Sequence, residues 1–483
     1  MSASTDFLQR IRRVAVVGAG ITGLSAALRL IQQHDGFHID LFEASSRPGG
    51  TIYTEHRDGF LIEHGPDAFI TNKPGGLQLC SDLGITDKLI GTDDQHRCSL
   101  VVHRGRPVPV PEGFMLMAPA SLKAILTTPI LSVGGKLRLL SEAVRPRKKT
   151  DDDESLGSFV RRRFGKETFE RLVQPLVGGI YTSDPEKLSL KATLPRFLAM
   201  EQEHGSVIRA TLRENRSAGT RQLPGESGVR YGLFTTHADG LSSIITSIVS
   251  ALESSGRVRL HLNTPIEAIE PLTKTTGWHL KCDRHNDLSC HGLILTTPSF
   301  VTGRLLANVD PNMSGELKAI EYASTAIVVS AHRLSDFRHP LNAFGLIIPS
   351  IENRNVLAVS FSSRKFPDRA PQGYVLIRTF VGGATQPGLF RLSDDDIRET
   401  VAIELKYLLG MSETPQFSSV LRHERAMPQY HVGHIDRISR IEERISRHHG
   451  LELGGIAYHG VGVPDCISNG YAAADRMAEF VRL

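Results

Sequence analysis

The chain has 483 residues, of which 40% are hydrophobic and 22% are charged, and its mean hydropathy is −0.13. These values are typical of a globular protein and exclude a disordered, a collagen-like and a membrane-spanning chain. Lysine and arginine outnumber aspartate and glutamate by only four (56 against 52), so no nucleic-acid partner is expected.

Cysteine usage indicates a reducing compartment. The cysteines are odd in number and form no CxxC pair, which argues against a disulfide framework and a zinc site. The sequence therefore predicts a cytoplasmic protein that holds no metal and whose five cysteines are buried free thiols: Cys80, Cys98, Cys282, Cys290 and Cys466.

A βαβ unit is predicted at the start of the chain. Residues 14–17 are a short apolar run that predicts a buried strand, and apolar residues follow at helical spacing over 24–31. Residues 38–42 predict a second strand, which ends at Glu43. A glycine-rich turn separates the first strand from the helix: Gly18, Ala19, Gly20, Ile21, Thr22 and Gly23.

The residue types in this unit suit a dinucleotide. Gly18 permits a tight turn, Gly20 lets the backbone approach a pyrophosphate, and Gly23 lets the helix pack close to the sheet. The helix N-terminus presents unpaired N–H groups to the phosphates. Glu43 lies 20 residues after Gly23, where a carboxylate can accept hydrogen bonds from ribose hydroxyls. The pattern predicts a dinucleotide site, and a purely structural glycine turn is the alternative.

The segment after Glu43 indicates which dinucleotide is bound. Its pattern E-x-x-x-R-x-G-G contains Arg47 and Gly50 and resembles the FAD-binding opening of the flavin amine oxidase and desaturase superfamily. The resemblance implies that Ala44, Arg47, Gly50 and Thr51 contribute to an FAD site, with Arg47 adding a cation for phosphate. A glycine-rich surface loop is the alternative.

The rest of the chain divides into a helical and a β-rich part. Residues 110–194 read as mostly helical, with prolines as punctuation. A helix is predicted from about residue 464, after a glycine-containing segment at 454–462. Strands are predicted at five places: 258–262, 293–295, 326–330, 356–360 and 375–380.

Three further blocks narrow the resemblance to one family. They are EHGPDAF at 63–69, QPLVGGIY with the segment after it at 174–189, and GVGVPDCISNG at 460–470. Together with the glycine motifs they resemble the oxygen-dependent protoporphyrinogen and coproporphyrinogen oxidases of bacterial type, from residue 13 to residue 475. The resemblance adds these residues to the implied FAD site: Gly65, Pro66, Asp67, Ala68, Ile266, Val461, Gly462 and Val463.

The resemblance implies an α/β fold with a Rossmann-like FAD-binding core assembled from separated segments. That core is expected at 1–88, 241–320 and 425–483. A β-rich substrate domain is expected at 89–110, 195–240 and 321–424, and a helical, membrane-associating insertion at 111–194.

The activity implied is the oxidation of a porphyrinogen to a porphyrin in haem biosynthesis. Three two-electron steps each reduce FAD, and O2 reoxidises it to yield H2O2. Arg97 is expected to hold a substrate carboxylate, a solvated arginine being the alternative. Protoporphyrinogen IX has two carboxylates and coproporphyrinogen III has four, and the sequence leaves the choice open. No general base is assigned. Leu346 and Phe361 are candidate apolar walls without an assigned role.

The sequence does not decide which partners the protein has besides its substrate. Residues 114–117 read as an exposed apolar cluster, and the three arginines at 161–163 could meet lipid headgroups on the inner face of the membrane; an ordinary helical cap is the alternative. A homodimer is also left open. Two other functions remain: an FAD oxidase or desaturase acting on an amine or a carotenoid, and a non-catalytic flavin- or porphyrin-binding protein.

Overall fold

The structure is a computed structural model that describes residues 12–33, 36–119, 121–218, 234–282 and 287–482. Parts of the predicted segments, at 1–11 and 219–233, lie outside the described residues. The strands in chain order are β1 (Arg12–Val17), β2 (Phe37–Phe42), β3 (Thr54–Arg57), β4 (Phe60–Glu63), β5 (Phe69–Ile70), β6 (Leu89–Gly91), β7 (Ser99–His103), β8 (Arg106–Pro109), β9 (Phe114–Met115), β10 (Ala118–Pro119), β11 (Phe234–His237), β12 (Val258–His261), β13 (Ile266–Pro271), β14 (Trp278–Cys282), β15 (Leu288–Cys290), β16 (Gly292–Leu295), β17 (Tyr322–Arg333), β18 (Gly345–Ile347), β19 (Ala358–Phe361), β20 (Tyr374–Gly382), β21 (Phe417–Pro428) and β22 (Leu451–Leu453).

The α-helices in chain order are α1 (Ile21–Gln33), α2 (Pro74–Asp82), α3 (Leu122–Thr127), α4 (Val133–Leu140), α5 (Leu156–Arg163), α6 (Lys166–Thr168), α7 (Gln174–Tyr181), α8 (Leu190–Thr193), α9 (Pro195–His204), α10 (Val207–Ala218), α11 (Ser242–Ser254), α12 (Ser299–Leu305), α13 (Pro311–Lys318), α14 (Ser362–Lys365), α15 (Pro387–Phe390), α16 (Asp394–Leu409), α17 (His434–Ile445) and α18 (Val463–Arg482). None of the described helices is both long and apolar enough to cross a bilayer.

A parallel five-stranded sheet lies at the centre of the predicted FAD-binding core. Its strand order is β12-β2-β1-β16-β22, and every neighbouring pair is parallel. The central strands are buried on both faces, which is why they read as continuous apolar runs. The strands come from both ends and the middle of the chain, so the predicted α/β fold with a discontinuous core is confirmed. The boundaries of the seven predicted segments stay predictions.

A seven-stranded sheet of order β21-β17-β20-β19-β18-β7-β8 forms the β-rich part. All its pairs are antiparallel except β18 with β7. One face packs against α16, where side chains from alternate positions of the strands form a hydrophobic core. Leu346 and Phe361 lie in that core, because their positions put them on this face and not on the opposite one.

The helical segment has its own core and departs from the sequence prediction at the apolar run 114–117. The prediction that 110–194 is mostly helical is confirmed, although the short pair β9–β10 comes first. The prediction of an exposed apolar cluster at 114–117 is wrong, because Phe114 and Met117 are fully buried in the helical core. Helices from further along the chain cover them.

The three arginines of the same segment are paired within the protein. Arg163 is fully buried and forms an ion pair with Glu142. Arg162 pairs with Glu201 at 2.6 Å and with Glu154 at 2.7 Å. Arg161 pairs with Glu186. The expectation that these cations face lipid headgroups is therefore wrong for Arg162 and Arg163, whose charges are neutralised by buried carboxylates.

All five cysteine thiols are free. Three of them are buried, as expected: Cys80, Cys290 and Cys466. Cys98 and Cys282 are only half-buried, so for these two the prediction of burial is wrong.

Candidate active site

The first glycine turn lies where β1 ends. Gly18 has a φ of +104°, and its N–H donates to the carbonyl of Phe42 at 2.8 Å. A Cβ placed on Gly23 would lie 1.9 Å from the Gly18 carbonyl oxygen, so only glycine lets the helix start this close to the strand. A Cβ on Gly20 would meet no atom within 4 Å. The turn therefore borders open space at Gly20.

Helix α1 begins directly after this open space. The side chains of Ile21 and Thr22 are buried, so the first turn is fixed by packing. The first N–H groups of a helix have no acceptor within it, and they carry the positive end of the helix dipole. An anionic pyrophosphate beside Gly20 would meet these groups, which is the arrangement that the predicted FAD requires.

Glu43 closes the side of the turn at the end of β2. Its Oε2 accepts a hydrogen bond from the Ala19 N–H at 2.9 Å, and its Oε1 accepts from the N–H and the hydroxyl of Ser45 at 2.9 and 2.8 Å. A carboxylate offers about four acceptor sites, so it can also receive ribose hydroxyls. Ala44 is exposed beside it.

The start of β13 lies beside the backbone of Glu43. The N–H of Thr264 donates to the backbone carbonyl of Glu43 at 2.9 Å. Ile266 opens β13 two residues later, and its side chain is buried in a core shared with Phe42. Any contact of Ile266 with a cofactor would therefore be made by its backbone.

The second glycine loop packs onto the first. Gly20 and Gly49 form a parallel bridge, and the Gly49 N–H donates to the Ala19 carbonyl at 2.8 Å. The guanidinium of Arg47 donates to the carbonyls of Gly50 at 2.8 Å and Ile52 at 3.1 Å. In this structure Arg47 holds the loop in shape, whereas the sequence predicted a cation for phosphate.

The block at 63–69 joins this loop to the seven-stranded sheet. A Cβ on Gly65 would lie 2.0 Å from the carbonyl oxygen of the exposed Thr51. The Asp67 carboxylate pairs with Lys365 at 3.1 Å and with Arg378 at 3.5 Å, and Arg378 also donates to the Gly65 carbonyl. Pro66 and Ala68, on either side of Asp67, are half-buried.

The Asp67 carboxylate is held by its ion pairs with Lys365 and Arg378. Burial acts to raise the pKa of Asp67, but the two cations outweigh it and hold the pKa below its usual range. No local pattern indicates these two partners, because Lys365 lies 298 residues after Asp67 and Arg378 lies 313 residues after Gly65. The ion cluster pins the predicted cofactor loop to β20.

The C-terminal segment reaches the same place. Gly460 has a φ of +105°, and the Gly462 N–H donates to Asp465 at 3.1 Å. Lys73 also holds the Asp465 carboxylate, at 2.6 and 2.8 Å. Val461 is half-buried, and its N–H donates to no other described residue. Val463 starts α18, so this segment too presents backbone donors at a helix N-terminus.

Helix α18 packs directly on α1. A Cβ on Gly470 would lie 2.3 Å from the carbonyl oxygen of Thr22, and a Cβ on Gly75 would lie 2.4 Å from that of Pro464. Such backbone approaches fix the position of α18 against both α1 and α2. The two distant ends of the chain therefore meet near the open space at Gly20, which we call the groove. Its surroundings provide the backbone donors of two helix N-termini, and these suit FAD.

The other face of the seven-stranded sheet is less buried along β18 and β19 than the face against α16. Along β18 and β19 burial alternates: Leu346 and Val359 are buried against α16, while Gly345, Ile347 and Ser360 are half-buried. Since successive side chains point to opposite faces, the half-buried residues share the second face. We call this set the cleft face, and it also includes Ser99, Ala358 and Phe380 by strand register.

The cleft face is bounded by the cofactor loop and the helical segment. On one side Arg378, in register with Ser360, donates to Gly65. On the other, Ile347 and Val461 both pack against the helical core. The cleft face therefore lies between the loop at 63–69 and the C-terminal segment.

Arg97 lies at the start of the cleft face, two residues before β7. It forms an ion pair with the exposed Asp94, and its buried Nε has no partner among the described residues. An unsatisfied buried donor has a cost that a substrate carboxylate would remove. The predicted carboxylate contact at Arg97 stays a prediction.

Comparison with known proteins is consistent with this geometry. The family described as flavin containing amine oxidoreductase matches residues 21–478. Coproporphyrinogen III oxidases of Staphylococcus aureus and Bacillus subtilis are 33% and 32% identical over 96% of this chain and cover 99% and 97% of their own lengths. The chloroplastic protoporphyrinogen oxidase of Nicotiana tabacum is 29% identical, over 96% of this chain and 85% of its own.

A solved structure shows the same architecture. It is an Exiguobacterium sp. 255-15 protein provisionally assigned as a protoporphyrinogen oxidase, with a TM-score of 0.83 and 29% identity over 96% of this chain and 98% of that chain. A reduced UDP-galactopyranose mutase has a TM-score of 0.71 at 17% identity, over 97% of this chain and 96% of that one, and so shares the fold alone.

Proposed function

We propose that this chain, which belongs to the flavin containing amine oxidoreductase family, oxidises a porphyrinogen to a porphyrin in haem biosynthesis. The predicted oxidoreductase class and FAD cofactor are confirmed by that family. The proposed substrate rests on the similarity, over 96% of the chain, to proteins named coproporphyrinogen III oxidase. Coproporphyrinogen III is therefore the first substrate to test.

The groove residues hold the cofactor. FAD, when bound, accepts two electrons in each oxidation step, and we propose O2 as the final acceptor with release of H2O2. Helix α1 places its N-terminal donors at the pyrophosphate, and Glu43 receives the ribose hydroxyls. The assigned FAD-binding residues are Gly18, Ala19, Gly20, Ile21, Thr22, Gly23, Glu43, Ala44, Arg47, Gly50, Thr51, Gly65, Pro66, Asp67, Ala68, Ile266, Val461, Gly462 and Val463.

The cleft face orients the substrate. Arg97 pairs with one carboxylate of the porphyrinogen, and its planar donor set suits two-point binding. Ile347 and Phe380 offer apolar surface to the macrocycle, and the helical segment excludes water from that side. The ion pairs of the Asp67 side chain with Lys365 and Arg378 fix the loop that joins the cofactor site to the substrate site.

The test uses the purified, FAD-loaded protein. Coproporphyrinogen III and protoporphyrinogen IX are supplied separately, and porphyrin fluorescence and peroxide are recorded. A porphyrin formed from either compound, with three equivalents of peroxide for each porphyrin, supports the proposal. Polyamines and phytoene serve as comparison substrates. Flavin reduction by a comparison substrate with no turnover of either porphyrinogen would overturn it, and so would a bound flavin that no substrate reduces.

We also propose that the helical segment touches the membrane surface through residues other than those predicted. Several large apolar side chains of α3, α4 and the turn after α4 are exposed: Leu122 (41%), Leu126 (59%), Val133 (75%), Leu137 (65%) and Val144 (80%). Lys123 and Lys136 lie on the same two helices. Apolar side chains with flanking cations favour an anionic lipid surface.

Sedimentation with vesicles tests this contact. Binding to vesicles that contain anionic lipid is expected, and L137E should weaken it, whereas I403E on α16, where Ile403 is 59% exposed, should not. Equal sedimentation of parent and L137E would contradict the assignment. The cytoplasmic location and the homodimer stay predictions, and analytical ultracentrifugation of the FAD-loaded protein tests the second.

A further inference from the structure

We infer that Tyr430 is a positioning residue that fixes the C-terminal flavin loop, defined here as residues 454–462. The inference rests on the proposed function in that this loop lies against FAD. Tyr430 is 2% exposed. Its hydroxyl donates to the Ile456 carbonyl at 2.5 Å and accepts from the Gly460 N–H at 2.9 Å. One phenol therefore closes the loop by holding two of its backbone groups.

A second contact holds the other end of the loop. The carboxylate of Asp465 accepts from the Gly462 N–H at 3.1 Å and is itself held by Lys73. Val461 lies between these two fixed points, and its N–H donates to no other described residue. The position of this free donor is therefore set by Tyr430 on one side and by Asp465 on the other.

Tyr430 also contacts the helical segment. Its ring packs in the helical core, and its carbonyl accepts from the Ser189 N–H at 2.7 Å. The ring stacks on His434 at a centroid distance of 3.9 Å. Burial raises the pKa of Tyr430 above its usual range, so the hydroxyl keeps the proton that it donates. A single side chain thus joins the segment that bounds the cleft to the loop that bounds the groove.

Loss of the hydroxyl would free the loop without removing the ring. In Y430F the stacking on His434 is kept, but Ile456 and Gly460 lose a buried hydrogen-bond partner each. The Val461 donor would then no longer be held in place. A fixed donor near a reduced flavin stabilises its negative charge, so its loss makes the flavin harder to reduce.

The experiment compares full-length, FAD-loaded Y430F with the parent and with Y471F. Tyr471 lies in α18 outside the loop, and its hydroxyl donates to the Asp82 carboxylate at 3.1 Å, so Y471F also removes one phenol hydrogen bond. Y430F should show a shifted flavin absorption band, a more negative midpoint potential and a kcat lowered by about tenfold with KM little changed. Y471F should match the parent.

The outcomes separate this inference from the proposed function. A flavin-bound Y430F with the spectrum and potential of the parent would overturn the inference alone, since neither measurement needs porphyrinogen. Equal shifts in both variants would also overturn it. If Y430F does not fold, hydrogen exchange in the parent decides: a slowly exchanging Gly460 amide supports the inference, and exchange at the rate of an unstructured amide refutes it.

Discussion

Replacing Gly470 by alanine perturbs the contact that holds the two ends of the chain together. A Cβ at this position in α18 would lie 2.3 Å from the Thr22 carbonyl oxygen and 3.2 Å from the Ala26 nitrogen. Both atoms are backbone of α1, so no side chain can turn away, and the helices must separate by roughly 1 Å. Overpacking of this kind typically costs about 1–3 kcal/mol. The first turn of α1 would move with it, so FAD binding should weaken as well.

A matched substitution isolates that cost. Gly315 lies inside α13, and a Cβ there would meet no atom within 4 Å. Alanine has the higher helix propensity, so each substitution should raise the free energy of unfolding by about 1 kcal/mol. Only G470A is also destabilised by a close contact. The free energies of unfolding, measured by urea titration, should therefore differ by about 1–3 kcal/mol, with G315A the more stable. The FAD dissociation constant, measured by flavin fluorescence, should rise about tenfold or more in G470A.

The prediction is refuted if G470A is stabilised as much as G315A and binds FAD like the parent. In that case the close approach of α18 to α1 is absent in solution. The single groove formed by the two chain ends would then have no support.

Three further predictions concern the groove, the cleft and the core. E43A should raise the FAD dissociation constant by about tenfold to a hundredfold, because a hydrogen bond to a charged group contributes about 1.5–3 kcal/mol; an unchanged constant in a fluorescence titration would exclude the ribose contact. R97A should raise KM for porphyrinogen about tenfold with little change in kcat, and R97K should recover only part of the loss; steady-state kinetics that show a normal KM for R97A would remove Arg97 from the substrate site. Burial lowers the pKa of His332 from 6.5 to about 4, so between these pH values the unfolded chain binds a proton that the folded chain does not. The free energy of unfolding should therefore fall by about 3 kcal/mol as the pH drops through this window. In H332L the urea midpoint should fall less steeply between these pH values than in the parent. An equally steep fall in H332L would contradict this prediction.

The local motifs could be predicted because the residues of each motif lie close together in the sequence. Gly18, Gly23 and Glu43 lie within one βαβ unit, and the spacing of such a unit fixes where each residue falls. The structure places all three around one turn. No other part of the fold has to be known for that prediction to succeed.

The contacts that failed to be predicted depend on distant partners. Phe114 and Met117 form an apolar run without a period, so the sequence does not say whether water or another helix covers them. Arg163 reads as part of a solvated charge run, yet Glu142 neutralises it inside the core. Leu346 and Phe361 are apolar strand residues, but which face of a sheet is the substrate side depends on α16, whose position only the tertiary structure provides.

The contacts between β20 and the loop at 63–69 couple the proposed cofactor site to the proposed substrate site. Arg378 has a side chain that is 3% exposed, and β20 holds it between buried neighbours. It therefore cannot follow the loop, and the loop must adapt to it through Asp67 and the Gly65 carbonyl. Gly65 in turn touches Thr51, next to the second glycine loop. A displacement of β20 is thus passed through three contacts to the glycine turns, which form the proposed cofactor site.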